Sequence, residues 1–305
     1  MKKDILERKY FRDNKRFASI FNYVLHDGKP VIEEDKLVEL DTNLISTNPI
    51  LTNRERDVFK KAVIKTDGKQ SYLLLGIENQ TKVDKNMVFR NMLYDALSYI
   101  QQTQNIENNN KNGKIKVNRI SPVITLVIYY SHKKWNGKRD LYSMLEIKDE
   151  NLKKYISNYK LNLIEPYSMT EEDLSKLDKD LRILLGMIKN SGDVEKLKKY
   201  VLNNEIFEHV GIDTAVLANE IINAGLKIEE GDEINMCKAI EDLKAEGRAE
   251  GIAEGRAQGR AEGRNEGKAE ATRTYIKTMK NNGFDIETIA RALSLDINYV
   301  KKVLA

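Results

Sequence analysis

The sequence predicts an α/β fold, a mixed sheet flanked by helices, followed by an α-helical C-terminal extension. Three observations carry this. Val123 to Tyr130 is a nearly unbroken apolar run, the pattern of a strand covered on both faces. Tyr72 to Gln80 is a second strand-like run that ends on polar side chains. Helical spacing of apolar residues occurs on either side of these strands.

The elements follow in order. Phe17, Ile20, Phe21 and Val24 give a first helix over Phe11 to Leu25, which stops near His26-Asp-Gly28. Leu37 to Ile45, Asp57 to Ile64 and Ser71 to Glu78 are β-like runs, separated by a Thr-Asn-Pro signal and by Thr66-Asp-Gly68, which marks a hairpin. Asp84 then caps a long helix to about Gln102, with Met87, Met92, Leu93, Ala96, Leu97 and Ile100 expected to face inward. An Asn-rich loop from Asn105 to Asn118 leads to the apolar strand at Val123. A further strand lies in Lys160 to Pro166, and Thr170 to Asn223 reads as several helices with caps at Thr170 and Asp193.

After Leu243 the composition changes abruptly. The tetrads AEGR, AEGI, AEGR, AQGR, AEGR, NEGK follow from Ala245, with glycine at 247, 251, 255, 259, 263 and 267. At about 100° per residue, the Glu and Arg stripes of such a helix lie about 200° apart and pair poorly within it. Each glycine costs about 1 kcal/mol of helix stability relative to alanine. A second helix would supply the missing charge partners, which suggests a homodimer; the other reading is a charged, flexible tether. Residues 272–305 resemble a small helix-turn-helix unit, with Asp285 as a cap and Ser294-Leu-Asp296 as the turn. Asn298, Tyr299, Lys301 and Lys302 are then expected on its exposed face, either as weak DNA contacts or as part of a cap that binds only protein. The expected divisions are 1–166, 167–243, 244–271 and 272–305.

Composition narrows the class. The net charge is only +4, so nucleic-acid binding must come from local patches such as Lys60, Lys61, Lys65 and Lys69, or Lys133, Lys134, Lys138 and Arg139. Cys237 is the single cysteine, which excludes an intramolecular disulfide and a cysteine-based zinc site, and fits a reducing cytoplasm. The charged N-terminus does not read as a signal peptide, and no apolar run is long enough to span a bilayer. His26, His132 and His209 lack ligand spacing, and Trp135 beside Asn136-Gly137 reads as a packed loop anchor. P-loop and Gly-x-Ser-x-Gly motifs are absent from the sequence, as is a three-acid transposase pattern.

The chemistry concentrates at the end of the second strand. Gly76, Glu78 and Gln80 share one face there, and Asp57 stands upstream in Arg54-Glu-Arg-Asp57. Two converging carboxylates suit metal-dependent phosphodiester cleavage, because a divalent cation held by oxygens polarises the phosphate and activates water. The pattern reads as D…(D/E)-x-K with glutamine last. Taken without their surroundings, the two acids read better as a surface acid and a strand-end acid with no shared partner.

Their surroundings resemble a family. Arg16-Phe-Ala-Ser-Ile-Phe-Asn-Tyr, Val38-Glu-Leu-Asp-Thr42, Arg56-Asp-Val-Phe-Lys-Lys61, Leu75-Gly-Ile-Glu-Asn-Gln80 and Met92-Leu-Tyr-Asp-Ala-Leu-Ser-Tyr99 occur in the order seen in Rpn/YhgA-like proteins. These are described as recombination-promoting nucleases or transposases with a restriction-endonuclease-like PD-(D/E)XK core (αβββαβ), and the resemblance covers roughly residues 10–190. It implies an Mg²⁺- or Mn²⁺-dependent DNA endonuclease with Asp57, Glu78 and Gln80 as catalytic residues. Asp57, Glu78 and the backbone carbonyl of Asn79 would be the metal ligands. Asp41 and Asp13 either complete the acidic cluster or serve as a strand-end and a helix-start residue. On the helix after Asp84, Met87, Arg90, Tyr94, Ser98 and Gln101 form a stripe; Arg90, Tyr94 and Gln101 meet a DNA backbone there, or the stripe is a structural face.

Overall fold

The computed structural model describes residues 2–44, 54–66, 69–109, 119–228 and 231–305. The N-terminal region forms two helices rather than one: α1 (Lys2–Arg12) and α2 (Asn14–His26). Asp13 makes the break. Its backbone is extended, and its carboxylate accepts from the Arg16 N–H at 2.9 Å, which caps α2. α2 ends as its sequence signals, with Asp27 and Gly28 both at positive φ.

The expected strand over Leu37 to Ile45 is split. β1 (Val38–Glu39) joins the main sheet, whereas β2 (Asn43–Leu44) pairs with β3 (Arg54–Glu55) in a separate ribbon. β4 (Val58–Thr66) and β5 (Lys69–Gln80) form the expected antiparallel hairpin, from Val58↔Ile77 to Thr66↔Lys69. The turn signal at Asp67-Gly68 lies outside the described residues. α3 (Met87–Asn109) follows, and includes the first residues of the Asn-rich segment; 110–118 lie outside the described residues. β6 (Val123–Tyr129) returns parallel to β5, and β7 (Asn162–Ile164) is parallel to β6. The resulting five-stranded mixed sheet has the order β1-β4-β5-β6-β7.

The two faces of the sheet differ in chemistry. Leu75, Ile77, Leu126 and Ile128 belong to one large apolar core with Phe11, Phe17 and Phe21. This core continues through α4 (Glu171–Ser175), α5 (Lys179–Asn190) and α6 (Val194–Leu202), then through β8 (Val210–Gly211), α7 (Ile212–Ile222), β9 (Glu233–Ile234) and the start of α8 (Met236–Asn281). Thr170 and Asp193 cap α4 and α6 as their positions predict. The helices expected after 166 therefore share one core with the sheet, and the first compact unit runs to Glu241.

The opposite face is polar beneath α3. Of the residues expected to turn inward on this helix, Met87 is buried, but Ala96 and Ile100 are exposed. The stripe that meets the sheet is instead Val88, Asn91, Tyr94, Asp95 and Ser98. Arg56 is the reason. It is fully buried in this layer and donates to Asp95 at 2.9 Å, to Ser98 at 3.3 Å and to Thr125, while stacking over Phe59 and Tyr94. A buried guanidinium needs a paired carboxylate and hydroxyl acceptors, so the helix turns its polar stripe inward. Gly76 leaves room for it, since a Cβ there would collide with the guanidinium.

The second compact unit is Asp242–Ala305. Residues 245–268 lie within α8 and are helical throughout, with exposed side chains and open space around each repeat glycine. α9 (Ile286–Leu293) and α10 (Ile297–Leu304) fold back on the end of α8 around Ile276, Ile289, Ala290 and Val300. Asp285 and Asp296 cap these helices, and Ser294 adopts positive φ at the turn. Among the described residues, no helix is long and apolar enough to cross a membrane.

Candidate active site

The end of the β4–β5 hairpin organises the site. Asp57 immediately precedes β4, whose first residue, Val58, pairs with Ile77; this brings Asp57 beside Glu78 and Asn79. The β4–β5 ladder stops here, and the Asn79 N–H donates to Asp57 Oδ2 at 2.7 Å. The N–H and C=O of a residue in an extended strand leave on the same edge, so the Asn79 carbonyl faces the same side as Asp57.

Glu78 is 1% exposed, one of its oxygens accepts from Arg90 at 2.8 Å, and the other, Oε1, is buried without a partner. Burial first, and the neighbouring Asp57 charge second, push its pKa up to about 7 against the Arg90 contribution. Burial also raises Asp57, although the Asn79 N–H and Arg8 favour its ionised form. Arg8, from α1, lies 3.0 Å from Asp57 Oδ1. Arg90 bridges Glu78 and Asp84, at 2.8 and 3.0 Å.

Asp57, Asn79, Gln80 and Arg90 line a cavity of about 290 Å³; the buried Glu78, held by Arg90, is not part of that lining. The lining also includes Asp4, Glu7 and Arg8 of α1, together with Lys82, none of which stands out in the sequence pattern. Glu7 is 2% exposed, has an unpartnered Oε1, and is raised to about 8, chiefly by burial. A signal was present: Glu7 stands three and four residues before the buried Tyr10 and Phe11, an acid on an apolar helix face. The charge density of α1 obscured that face.

Other expected site residues fall elsewhere. Asp13 caps α2, and Asp41 is exposed and outside the cavity lining. Lys60 is 1% exposed; it follows the strand alternation into the core, where its ammonium donates to Arg12 O and Asn14 Oδ1, both at 2.6 Å. It cannot reach a DNA backbone from there. Tyr94 is likewise buried, beneath Arg56 and Arg90. Lys61 is half-buried and stacks on Tyr72, and Gln101 is half-buried. In the second unit Asn298, Lys301 and Lys302 are exposed, but Tyr299 packs partly into the small core. Lys133, Lys134 and Lys138 are exposed, whereas Arg139 binds Glu165 at 2.6 Å. Trp135 is 2% exposed and meets Tyr129 edge-on, the anchor its position suggested.

The donor set fits a hard divalent cation. Asp57, Glu78 with its free buried oxygen, and the Asn79 carbonyl are all oxygen donors, and mutual carboxylate repulsion is relieved by a shared cation. Among the described residues, no group of three or more His, Cys, Asp or Glu side chains is placed to share a metal ion. Two carboxylates and a carbonyl, with waters completing the shell, match the way Mg²⁺ is commonly held.

The chain belongs to the family described as YhgA-like putative transposases, whose model matches residues 4–214. That span contains every residue of this cavity and ends before α8. No curated protein and no solved structure gives a significant match.

Proposed function

We propose that the protein is a cytoplasmic, Mg²⁺-dependent DNA endonuclease built on a PD-(D/E)XK core, acting in recombination, mobile-element function or defence. The observation that carries this reading is the convergence of Asp57 and Glu78 at one strand end, beside a cavity that Asp57 lines together with arginine side chains. The succession of helices, hairpin, helix and parallel strand supports the same reading. Mg²⁺ or Mn²⁺ bound by Asp57, Glu78 and the Asn79 carbonyl would polarise the scissile phosphate and activate a water for in-line attack.

The chain's own residues supply the rest. The Asn79 N–H fixes the orientation of Asp57. Gln80, at the cavity wall, offers amide hydrogen bonds to a water or a phosphate oxygen but no charge. Arg90 stands beside Glu78 and provides a fixed cation where phosphate charge develops. Two such domains paired through α8 would let both strands of a duplex be cut.

A second reading is a DNA-binding, oligomerising protein with a silent site. It is favoured by Gln80, which lacks the charge of a lysine, and by the arginines that already neutralise both carboxylates. Titration of the purified protein with Mg²⁺ and Mn²⁺ separates the two. The nuclease reading expects thermal stabilisation by roughly 2–3 kcal/mol at about a hundred times Kd, together with cleavage of plasmid DNA. Neither effect at millimolar cation would leave the second reading.

A further inference from the structure

Each carboxylate of the site is matched by its own arginine. Arg90, on α3, is clamped between Glu78 and Asp84, at 2.8 and 3.0 Å. Its position is therefore set by the sheet and by the turn before its own helix. Arg8 reaches from α1 to the Asp57 oxygen Oδ1 at 3.0 Å, and its side chain is 36% exposed at the cavity rim. The other Asp57 oxygen is committed to the Asn79 N–H. A divalent cation bound to Asp57 therefore competes directly with the Arg8 guanidinium, since both seek the same carboxylate and repel each other.

We propose that Arg8 is an exchangeable counter-ion of the site: it holds Asp57 in the cation-free protein, and turns to a phosphate of the nucleic acid when a divalent cation takes Asp57. This rests on the metal-dependent reading above. Guanidinium chemistry suits both partners, because the same planar fork binds carboxylate and phosphate. The exchange keeps the carboxylate pair from being left bare between turnovers. It also delivers a positive side chain to the phosphate only when the cation is in place, in a site where Gln80 brings none.

The test uses the full-length protein with Arg8→Ala and, should that variant not fold, Arg8→Gln, which retains a hydrogen-bond donor for Asp57. Mn²⁺ binding is measured by the paramagnetic resonance signal of the free ion. Affinity for a hydrolysis-resistant phosphorothioate duplex is measured with and without Mn²⁺. Removing a competing cation should tighten Mn²⁺ binding by roughly three- to tenfold. The gain in DNA affinity that Mn²⁺ gives the wild type should shrink by a similar factor. These opposite signs distinguish exchange from simple scaffolding, since loss of a structural contact would weaken both. Mn²⁺ affinity that is unchanged or weaker in the variant overturns the exchange. If the wild type binds Mn²⁺ and Asp57→Asn does not, that failure leaves the nuclease reading standing. A wild-type protein that binds no Mn²⁺ overturns both.

Discussion

The Glu78 carboxylate is bound on one side by Arg90 at 2.8 Å and is bare on the other, where Oε1 is buried without a partner. This half-satisfied acid sits one strand residue from the amide that orients Asp57. Arg90→Ala should raise the Glu78 pKa above its value of about 7, because burial and Asp57 already push it up and Arg90 is its main opposing influence. The pH midpoint of Mn²⁺ binding should move up accordingly, and cation-free stability at pH 8 should fall by roughly 2–4 kcal/mol. A midpoint that does not move would show that Arg90 does not control this carboxyl.

Glu7 predicts the pH dependence of stability. Its folded pKa is about 8 and its ordinary value is 4.5, so between those values the folded state binds the proton more tightly. The stabilisation is therefore complete below about pH 4.5 and is lost as pH rises through 8. Glu78 acts in the same direction up to about pH 7. Glu7→Gln should flatten this loss and stabilise the cation-free protein by roughly 2–4 kcal/mol at pH 9. Denaturant melts from pH 5 to 9 in EDTA check it; parallel curves for variant and wild type would contradict it.

Arg56→Ala should cost roughly 3–5 kcal/mol, since it strands the Asp95 carboxylate between α3 and the sheet and opens a cavity above Gly76. Asp95 also accepts from Thr125 and from the Tyr159 hydroxyl, both at 2.6 Å, so the loss spreads through that network. Urea denaturation measures it. A loss below about 1 kcal/mol would mean the network carries little net energy.

The fold class was legible because periodicity reports burial directly. β6 and the β4–β5 hairpin announced themselves, as did the caps at Thr170, Asp193 and Asp285. The inward face of α3 was not legible, because it answers to Arg56, a charge whose burial becomes evident only once the sheet is assembled. Lys60 misled for the same reason: a lysine reads as surface unless carbonyl acceptors wait inside. Asp57 and Glu78 stood out by strand position, whereas Glu7 and Arg8 arrive from a helix about fifty to seventy residues distant in sequence, which no local pattern connects to them.

Assembly follows from α8. Its Glu and Arg side chains are exposed; among the described residues from 247 to 268, no ion pair joins them, and Gln258 donates to Glu262 at 2.8 Å. A dimer matching these stripes across two helices should form in low salt and weaken as salt rises. Deleting Ala245 to Lys268 should convert it to a monomer in light scattering, and shift products from double-strand breaks toward nicks. A monomeric wild type at micromolar concentration in low salt would contradict this.

The central claim is that Asp57 and Glu78 together support phosphodiester hydrolysis, and plasmid relaxation tests it most directly. Supercoiled plasmid is incubated with Mg²⁺ or EDTA and wild-type, Asp57→Ala or Glu78→Ala protein, each shown to be folded by circular dichroism. Nicking is expected from the wild type in Mg²⁺ alone, with a loss of at least about a hundredfold in each variant, since each lacks a ligand for the activating cation. Undiminished cleavage in both variants, or in EDTA, would contradict it.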